Sequence, residues 1–162
     1  MVCAIVAVVA LLLLAGYHSL IARAERVQCT ANLRNLHLAA ELYVQDKNQW
    51  PQIRLSGTDE NALGSYAQQW IAALLPYKAQ PKTWICPTVQ RLLDHPDYTQ
   101  PGNQRTDYFA ATFDDKPATP HQWPHQPWFF EGADVHGHGP LIVFTDGSIS
   151  DLKAVVGNAA PR

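Results

Sequence analysis

The chain has 162 residues, with 12 Lys or Arg, 14 Asp or Glu and a formal net charge of −2 at pH 7. This length allows one domain and an appendage. Because the chain is slightly acidic and has no cluster of Lys and Arg, it lacks the basic face that nucleic-acid binding requires. We therefore exclude nucleic acid as a partner.

The N-terminal segment is apolar and uncharged. Residues 1–22 contain no Asp, Glu, Lys or Arg, and residues 2–14 are wholly apolar. A helix of this length spans roughly 33 Å, which is enough to cross the hydrocarbon core of a bilayer. We predict a transmembrane segment at 1–22. The alternatives are a signal peptide cleaved near Ala22 and Ala24, although no positive n-region precedes it, and a buried core helix.

The next segment, residues 23–50, continues the same helix with an amphipathic pattern. Apolar residues recur at spacings of four and three, which places them on one stripe: Cys29, Leu33, Leu36, Ala40 and Tyr43. No Pro or Gly lies between Gly16 and Trp50. One helix to about residue 47 is therefore predicted, and it ends before Trp50-Pro51.

The remaining residues, 51–162, are predicted to form a small exported α+β domain. A second helix is expected at 65–77, where apolar residues mark one face and Pro76 ends it. Aromatic and β-branched content predicts strands at 108–113 and 128–130, and residues 88–107 look irregular. The fold class is α+β, in which the long helix packs on a small antiparallel sheet.

The strongest local pattern is a hairpin at 141–152. An apolar run at 141–145 and an alternating run at 148–152 flank Asp146-Gly147. This dipeptide favours a two-residue type I′ turn. We therefore predict such a turn, with a positive φ at Gly147.

The cysteines bear on the compartment. Cys3 lies inside the apolar run, whereas Cys29 and Cys86 lie beyond it. Two cysteines in an exported domain of this size predict one disulfide, Cys29–Cys86. The alternative is two free buried thiols. Zinc is not expected, because no Cys-x-x-Cys or His-x-x-x-His pattern accompanies them.

Other potential metal ligands lie near the C-terminus and in the loops. His136, His138 and Asp146 could supply three zinc ligands for a hydrolase, but Asp146 is already accounted for by the turn. Loop carboxylates could bind calcium: Asp107, Asp114, Asp115 and Asp134. They match no ligand pattern, so we predict no cofactor, no metal and no catalytic residue.

An aromatic segment near residue 125 allows two interpretations. It contains Trp123, Trp128, Phe129 and Phe130 among histidines. Such a group of side chains suits a partner-binding surface, and it equally suits a hydrophobic core.

Four motifs, taken in order, give the chain a family resemblance. Cys29 is followed by Asn-Leu-Arg-Asn-Leu at 32–36, the helix ends on Trp50-Pro51, and Trp-Ile-Cys-Pro follows at 84–87. Finally, His136 is followed by nine residues and then Asp146-Gly147. The chain resembles the type II secretion pseudopilins and type IV pilin-like proteins, in the branch with a C-terminal His-x9-Asp-Gly motif.

The resemblance implies a structural subunit rather than an enzyme. Its partners would be copies of itself or related pilin-like subunits, held through the N-terminal helix. It would cross the inner membrane once, with the C-terminal domain in the periplasm or outside. Some major pseudopilins also hold calcium in a C-terminal loop.

The start of the chain departs from the family pattern. The basic leader and the Phe-Thr-Leu-Ile-Glu start of the family are not matched, and the first acidic residue is Glu25. In the family, an acidic residue near the mature N-terminus normally pairs with a neighbouring subunit. The first alternative is therefore a membrane-anchored binding protein with the same fold that does not polymerise. The second alternative is a metal-dependent hydrolase.

Overall fold

The computed structural model describes residues 2–93, 104–137 and 139–159, and the side chains of 17, 19–93, 104–137 and 139–157. Four α-helices and four β-strands follow one another along these ranges: α1 (Val2–Lys47), α2 (Glu60–Leu74), α3 (Pro87–Leu93), β1 (Tyr108–Ala110), β2 (Pro127–Glu131), β3 (Leu141–Phe144), β4 (Ile149–Asp151) and α4 (Leu152–Ala159). The strands form one antiparallel sheet in the order β1-β2-β3-β4. The predicted α+β fold, a long helix packed on a small antiparallel sheet, is confirmed.

Helix α1 runs unbroken for 46 residues, as predicted. It ends at Asn48, which has φ of 54° and donates its amide to the Val44 carbonyl at 2.9 Å. A left-handed Asn is a common way to end a helix, because it satisfies a carbonyl of the last turn.

The predicted transmembrane segment at 1–22 lies largely outside the residues whose side chains are described. Within the described part of the chain, no helix combines the length and the apolar character needed to cross a bilayer. The membrane assignment stays a prediction.

The second half of α1 packs on the domain through the predicted stripe. Cys29, Leu33, Leu36 and Ala40 are all fully buried. Tyr43 is only half-buried, and the adjacent Val44 takes its place in the core. The helical periodicity therefore identified the packing face to within one residue.

An aromatic cluster fills the space between α1, α2 and the sheet. Its largest members are fully buried: Trp50, Trp70, Trp84, Tyr108, Trp128 and Phe129. Trp50 lies at the centre, with its ring 5.0 Å from the ring of Trp128 and 5.9 Å from that of Trp70. Its indole N–H donates to the Ala111 carbonyl at 3.0 Å. The aromatic segment near residue 125 is thus divided, because Trp128 and Phe129 are core residues and Trp123 is 61% exposed.

Helix α2 begins five residues before the predicted start. Asp59 caps it, since its carboxylate accepts a hydrogen bond from the Ala62 amide at 2.8 Å. The α-helix ends at Leu74, and Pro76 lies in a following 3-10 turn, Leu75–Tyr77. Helix α3 was not predicted. Its seven residues lie against α1, which stabilises a helix too short to form alone.

The β3–β4 connection lies where it was predicted, but the prediction of a two-residue type I′ turn is wrong. The Phe144 amide donates to the Ser148 carbonyl at 3.0 Å, and the Gly147 amide donates to the Phe144 carbonyl at 2.9 Å. The loop therefore has three residues. Gly147 has φ of 75°, as predicted, whereas Asp146 is not among the described residues with positive φ. A type I′ turn would need both, and the observed loop is a type I turn followed by a left-handed glycine.

The side chain of Asp146 stabilises this three-residue loop. It accepts the Ser148 amide at 2.9 Å, which fixes the turn from outside. Helix α1 closes the turn from the other side, because the His37 imidazole lies 2.9 Å from the Thr145 carbonyl.

We expect Gly147→Ala to lower the free energy of unfolding by about 1 kcal/mol, because alanine is strained at positive φ. Gly64→Ala is the matched control. It lies inside α2 with no atom near the added methyl group, so it should stabilise by up to about 1 kcal/mol. Urea denaturation of both variants measures the difference. Equal effects of the same sign would show that the turn does not constrain Gly147.

Candidate functional site

Four potential ligand side chains meet between α1 and the sheet. Cys29 comes from α1, Cys86 directly precedes α3, Glu131 ends β2, and His136 lies in the following loop. One ligand atom from each lies within 4.8 Å of all the others. Among the residues that the structure describes, this group has the composition and spacing to hold a metal ion.

Glu131 and His136 form the polar half of the cluster. One carboxylate oxygen of Glu131 lies 3.2 Å from Nε2 of His136, and the other accepts the Leu141 amide at 2.9 Å. The two side chains are only 2% and 4% exposed. Such burial is tolerated because each charged group has a partner.

The sulphur atoms form the other half, and the Cys86 sulphur lies 3.9 Å from Nε2 of His136. Hydrogen bonds from the Cys29 thiol and from His136 lower the pKa of Cys86 to about 5. Donation to Cys86 and burial raise the pKa of Cys29. The contacts with Cys86 and then Glu131 raise the pKa of His136 to about 9. Without a metal, these contacts favour the protonated ring of His136 and the thiolate of Cys86.

The two predicted disulfide partners are adjacent but not bonded. Cys29 and Cys86 are both free and buried, with their sulphurs no more than 4.8 Å apart. The structure thus shows two free buried cysteines, which was the alternative to the predicted disulfide. The disulfide stays a prediction for an oxidised chain.

Asp146 and Gly147, the other two residues of the predicted His-x9-Asp-Gly motif, lie away from this cluster. His136 contacts Glu131 near the start of β3, whereas Asp146 and Gly147 form the turn after β3. Asp146 lies 3.5 Å from His125 rather than from His136. His138 lies outside the described residues. His136 and Asp146, two of the three residues considered as zinc ligands from the sequence, are therefore separated by a strand.

The cluster geometry is unlike that of a nucleophile, base and orienting acid. In such a triad the two ring nitrogens of His contact different partners. Here Cys86 and Glu131 both face Nε2 of His136. The Cys86 residue is only 1% exposed, which leaves little room for a substrate at the sulphur.

The loop carboxylates suggested for calcium have local partners. Asp107 accepts the Cys86 amide at 2.7 Å, Asp114 accepts the Lys116 amide, and Asp134 accepts the Gly137 amide. Each of these carboxylates thus stabilises a turn or a connection.

A second polar group lies beside the cluster and joins α1 to α3. Glu25 accepts two hydrogen bonds from Arg91, at 2.7 and 3.0 Å, and one from Thr88 at 2.9 Å. The group borders a groove of about 270 Å³ that reaches His136. Hydrogen bonds from Arg91 lower the pKa of Glu25 below its ordinary value of 4.5.

Because its folded-state pKa is lowered, Glu25 stabilises the fold above about pH 4.5, and this stability is lost as pH falls through the folded value. We expect Glu25→Gln to cost about 1 kcal/mol at pH 7, a value limited by the half-exposed Arg91. The cost should vanish at low pH. Denaturation at pH 7 and pH 3 tests this, and a pH-independent difference would contradict it.

Sequence reasoning missed Glu131, although a signal existed. Alternate residues of a strand face the same side, so Glu131 shares a face with Phe129, a core residue. A carboxylate on the buried face of a short apolar strand indicates a buried polar partner. The identity of that partner depended on the tertiary fold.

Comparisons with known proteins identify a family. Residues 22–104 match the model of a family described as a protein of unknown function, DUF1559. No curated protein and no solved structure matches the chain. The matched segment covers half of the sequence, including the second half of α1 and Cys86. The chain therefore belongs to the DUF1559 family, a family of pilin-like, prepilin-type proteins.

Proposed function

We propose that this chain is a pseudopilin-like structural subunit of a secretion-associated or pilus-like assembly, and not an enzyme. Residues 1–22 would anchor it in the inner membrane, with the C-terminal domain in the periplasm or outside. Its partners would be copies of itself or related pilin-like subunits that contact α1. Membership of a pilin-like family and the long projecting helix support this role.

The observation that carries the proposal is an exposed apolar stripe on α1. It comprises five large side chains that are between 47% and 69% exposed: Tyr17, Leu20, Val27, Leu38 and Leu42. At about 100° per residue these five positions fall within an arc of about 80°. No Asp, Glu, Lys or Arg occupies that arc between Tyr17 and Leu42.

The stripe lies on the side of α1 away from the domain. The buried residues of α1, such as Cys29, Leu33 and Leu36, centre on a direction roughly opposite to it. The domain therefore cannot cover the stripe. Val27, Leu38 and Leu42 lie beyond the proposed anchor at 1–22 and would be exposed to water in a single chain. Exposed apolar side chains on one side of a helix favour a helix of another subunit as their cover.

The membrane anchor is supported by the sequence and by the continuity of α1. The uncharged run at 1–22 leads directly into the packed half of the same helix. An apolar stripe that extends such a segment would place neighbouring α1 helices side by side. Packing of these helices would then build the assembly, while the sheet and α2 face outward.

The test is a pair of substitutions with equal exposure. Leu38→Gln places a polar group in the stripe, and Leu92→Gln does so in α3; both leucines are 59% exposed. After gentle detergent extraction of cells, sedimentation should show wild type and Leu92→Gln in large particles. Leu38→Gln should shift to the monomer. A wild-type protein found only as a monomer would contradict assembly and favour the non-polymerising binding protein.

A further inference from the structure

We infer that Cys29, Cys86, Glu131 and His136 form a structural zinc site that fastens α1 to the C-terminal domain. Neither the family description nor the proposed assembly role assigns a metal to this chain. The four donors are separated by up to 107 residues and are brought together by the fold alone.

The spacing of the donors suits zinc. In a tetrahedral site with ordinary zinc bond lengths, ligand atoms lie about 3.3–3.8 Å from one another. The His136 and Glu131 atoms are 3.2 Å apart, and the Cys86 sulphur is 3.9 Å from the same nitrogen. The remaining pairs lie within 4.8 Å, so a contraction of about 1 Å or less would complete the tetrahedron.

The donor types also suit zinc. Two thiolates, one imidazole and one carboxylate are ligands that zinc accepts, whereas calcium and magnesium take oxygen donors. Four protein ligands leave no open position, and both cysteines are at most 1% exposed. The site is therefore closed, as structural zinc sites are.

The surroundings orient the donors in a way that a simple disulfide does not require. The Leu141 amide donates to the second oxygen of Glu131, and the Cys86 amide donates to the Asp107 carboxylate at 2.7 Å. Such contacts from outside the ligand set are typical of metal sites. A disulfide would involve only the two sulphurs and would not account for the His136 nitrogen beside the Cys86 sulphur at 3.9 Å.

Binding would exchange protons for the ion. Zinc would bind both sulphurs as thiolates and Nε2 of His136 without its proton, and the displaced protons would pass to solvent. The ion then bridges α1, the segment before α3, and the end of β2. The exposed stripe of α1 would thereby be fixed relative to the outer domain.

The experiment uses the full-length chain purified with a reductant that does not bind metal. We expect about one zinc per chain by elemental analysis. Exchange with cobalt(II) chloride should give the visible absorption of a tetrahedral ion and a near-ultraviolet thiolate-to-cobalt band. Removal of zinc by a chelator should lower the melting temperature, and added zinc chloride should restore it.

Cys86→Ser should abolish the thiolate band or reduce it by about half, and Glu131→Gln should weaken zinc binding at least tenfold. The matched control is Cys3→Ser, because Cys3 lies 26 residues, or about 39 Å, along α1 from Cys29. It should keep the metal and the band.

Failure of either variant to fold leaves the wild-type stoichiometry and cobalt spectrum as independent tests. The inference is overturned by reduced wild-type protein that binds no zinc, or by a cobalt complex without a thiolate band. Peptide mapping that finds a Cys29–Cys86 disulfide in the protein isolated from its native compartment also overturns it. None of these results depends on whether the chain assembles.

Discussion

Trp50→Ala is expected to lower the free energy of unfolding by about 3–5 kcal/mol, the usual cost of removing a buried tryptophan. Trp50 is fully buried and its ring contacts those of Trp70, Phe113 and Trp128. The substitution leaves a cavity at the centre of the aromatic cluster. It also removes the donor to the Ala111 carbonyl. Guanidinium denaturation followed by circular dichroism measures the change.

Trp123→Ala is the control for this substitution. Trp123 is 61% exposed, so its removal should change stability by no more than about 0.5 kcal/mol. If the two variants were equally stable, the aromatic cluster would not be the core of the domain.

Glu131→Ala is expected to cost about 3–5 kcal/mol in metal-free buffer, because it breaks a buried charge pair from one side. His136 would lose its carboxylate partner, and the Leu141 amide would lose its acceptor. Glu131→Gln should cost less, since an amide oxygen can still accept the Leu141 hydrogen. Denaturation in the presence of a chelator separates this effect from any metal.

Asp115→Ala provides the control, because Asp115 is exposed and should tolerate the change. A loss of stability at Glu131→Ala no larger than at Asp115→Ala would show that the buried pair contributes nothing to the fold.

Much of the fold was predictable because its patterns are local. The spacing of Cys29, Leu33 and Leu36 identified the packing face of α1, since helical periodicity depends only on neighbouring residues. The hairpin was found from Asp146-Gly147 in the same way. Its turn type was wrong because Asp and Gly also suit a type I turn with a left-handed glycine, and the Asp146 carboxylate stabilises that form.

The cluster was not predictable from local patterns. Cys29 lies on α1, Cys86 in the connection before α3 and Glu131 on β2, and no short motif joins them. The search for a Cys-x-x-Cys pattern did not point to this cluster, because that pattern detects only ligands that are close in sequence. Helix α3 was missed for a related reason, since its contacts with α1 stabilise it more than its own residues do.

Helix α1 carries both the stripe proposed for assembly and the cysteine that packs against the C-terminal domain. The exposed stripe and the buried cysteine lie on opposite sides of the same α1 helix. That helix contacts the segment around α3 in two places. Glu25 pairs with Arg91, and the sulphur of Cys29 lies within 4.8 Å of that of Cys86. A stiff attachment of this kind would transmit the packing of neighbouring helices to the outer domain.

The most direct test of the assembly role is photo-crosslinking in intact cells. A photoreactive phenylalanine derivative in place of Leu38 lies in the α1 stripe, and one in place of Leu92 has equal exposure outside it. The proposed role predicts that illumination joins the chain to a second copy or a related subunit from position 38 and not from position 92. Crosslinks that are absent at 38, or equal at both positions, would contradict it.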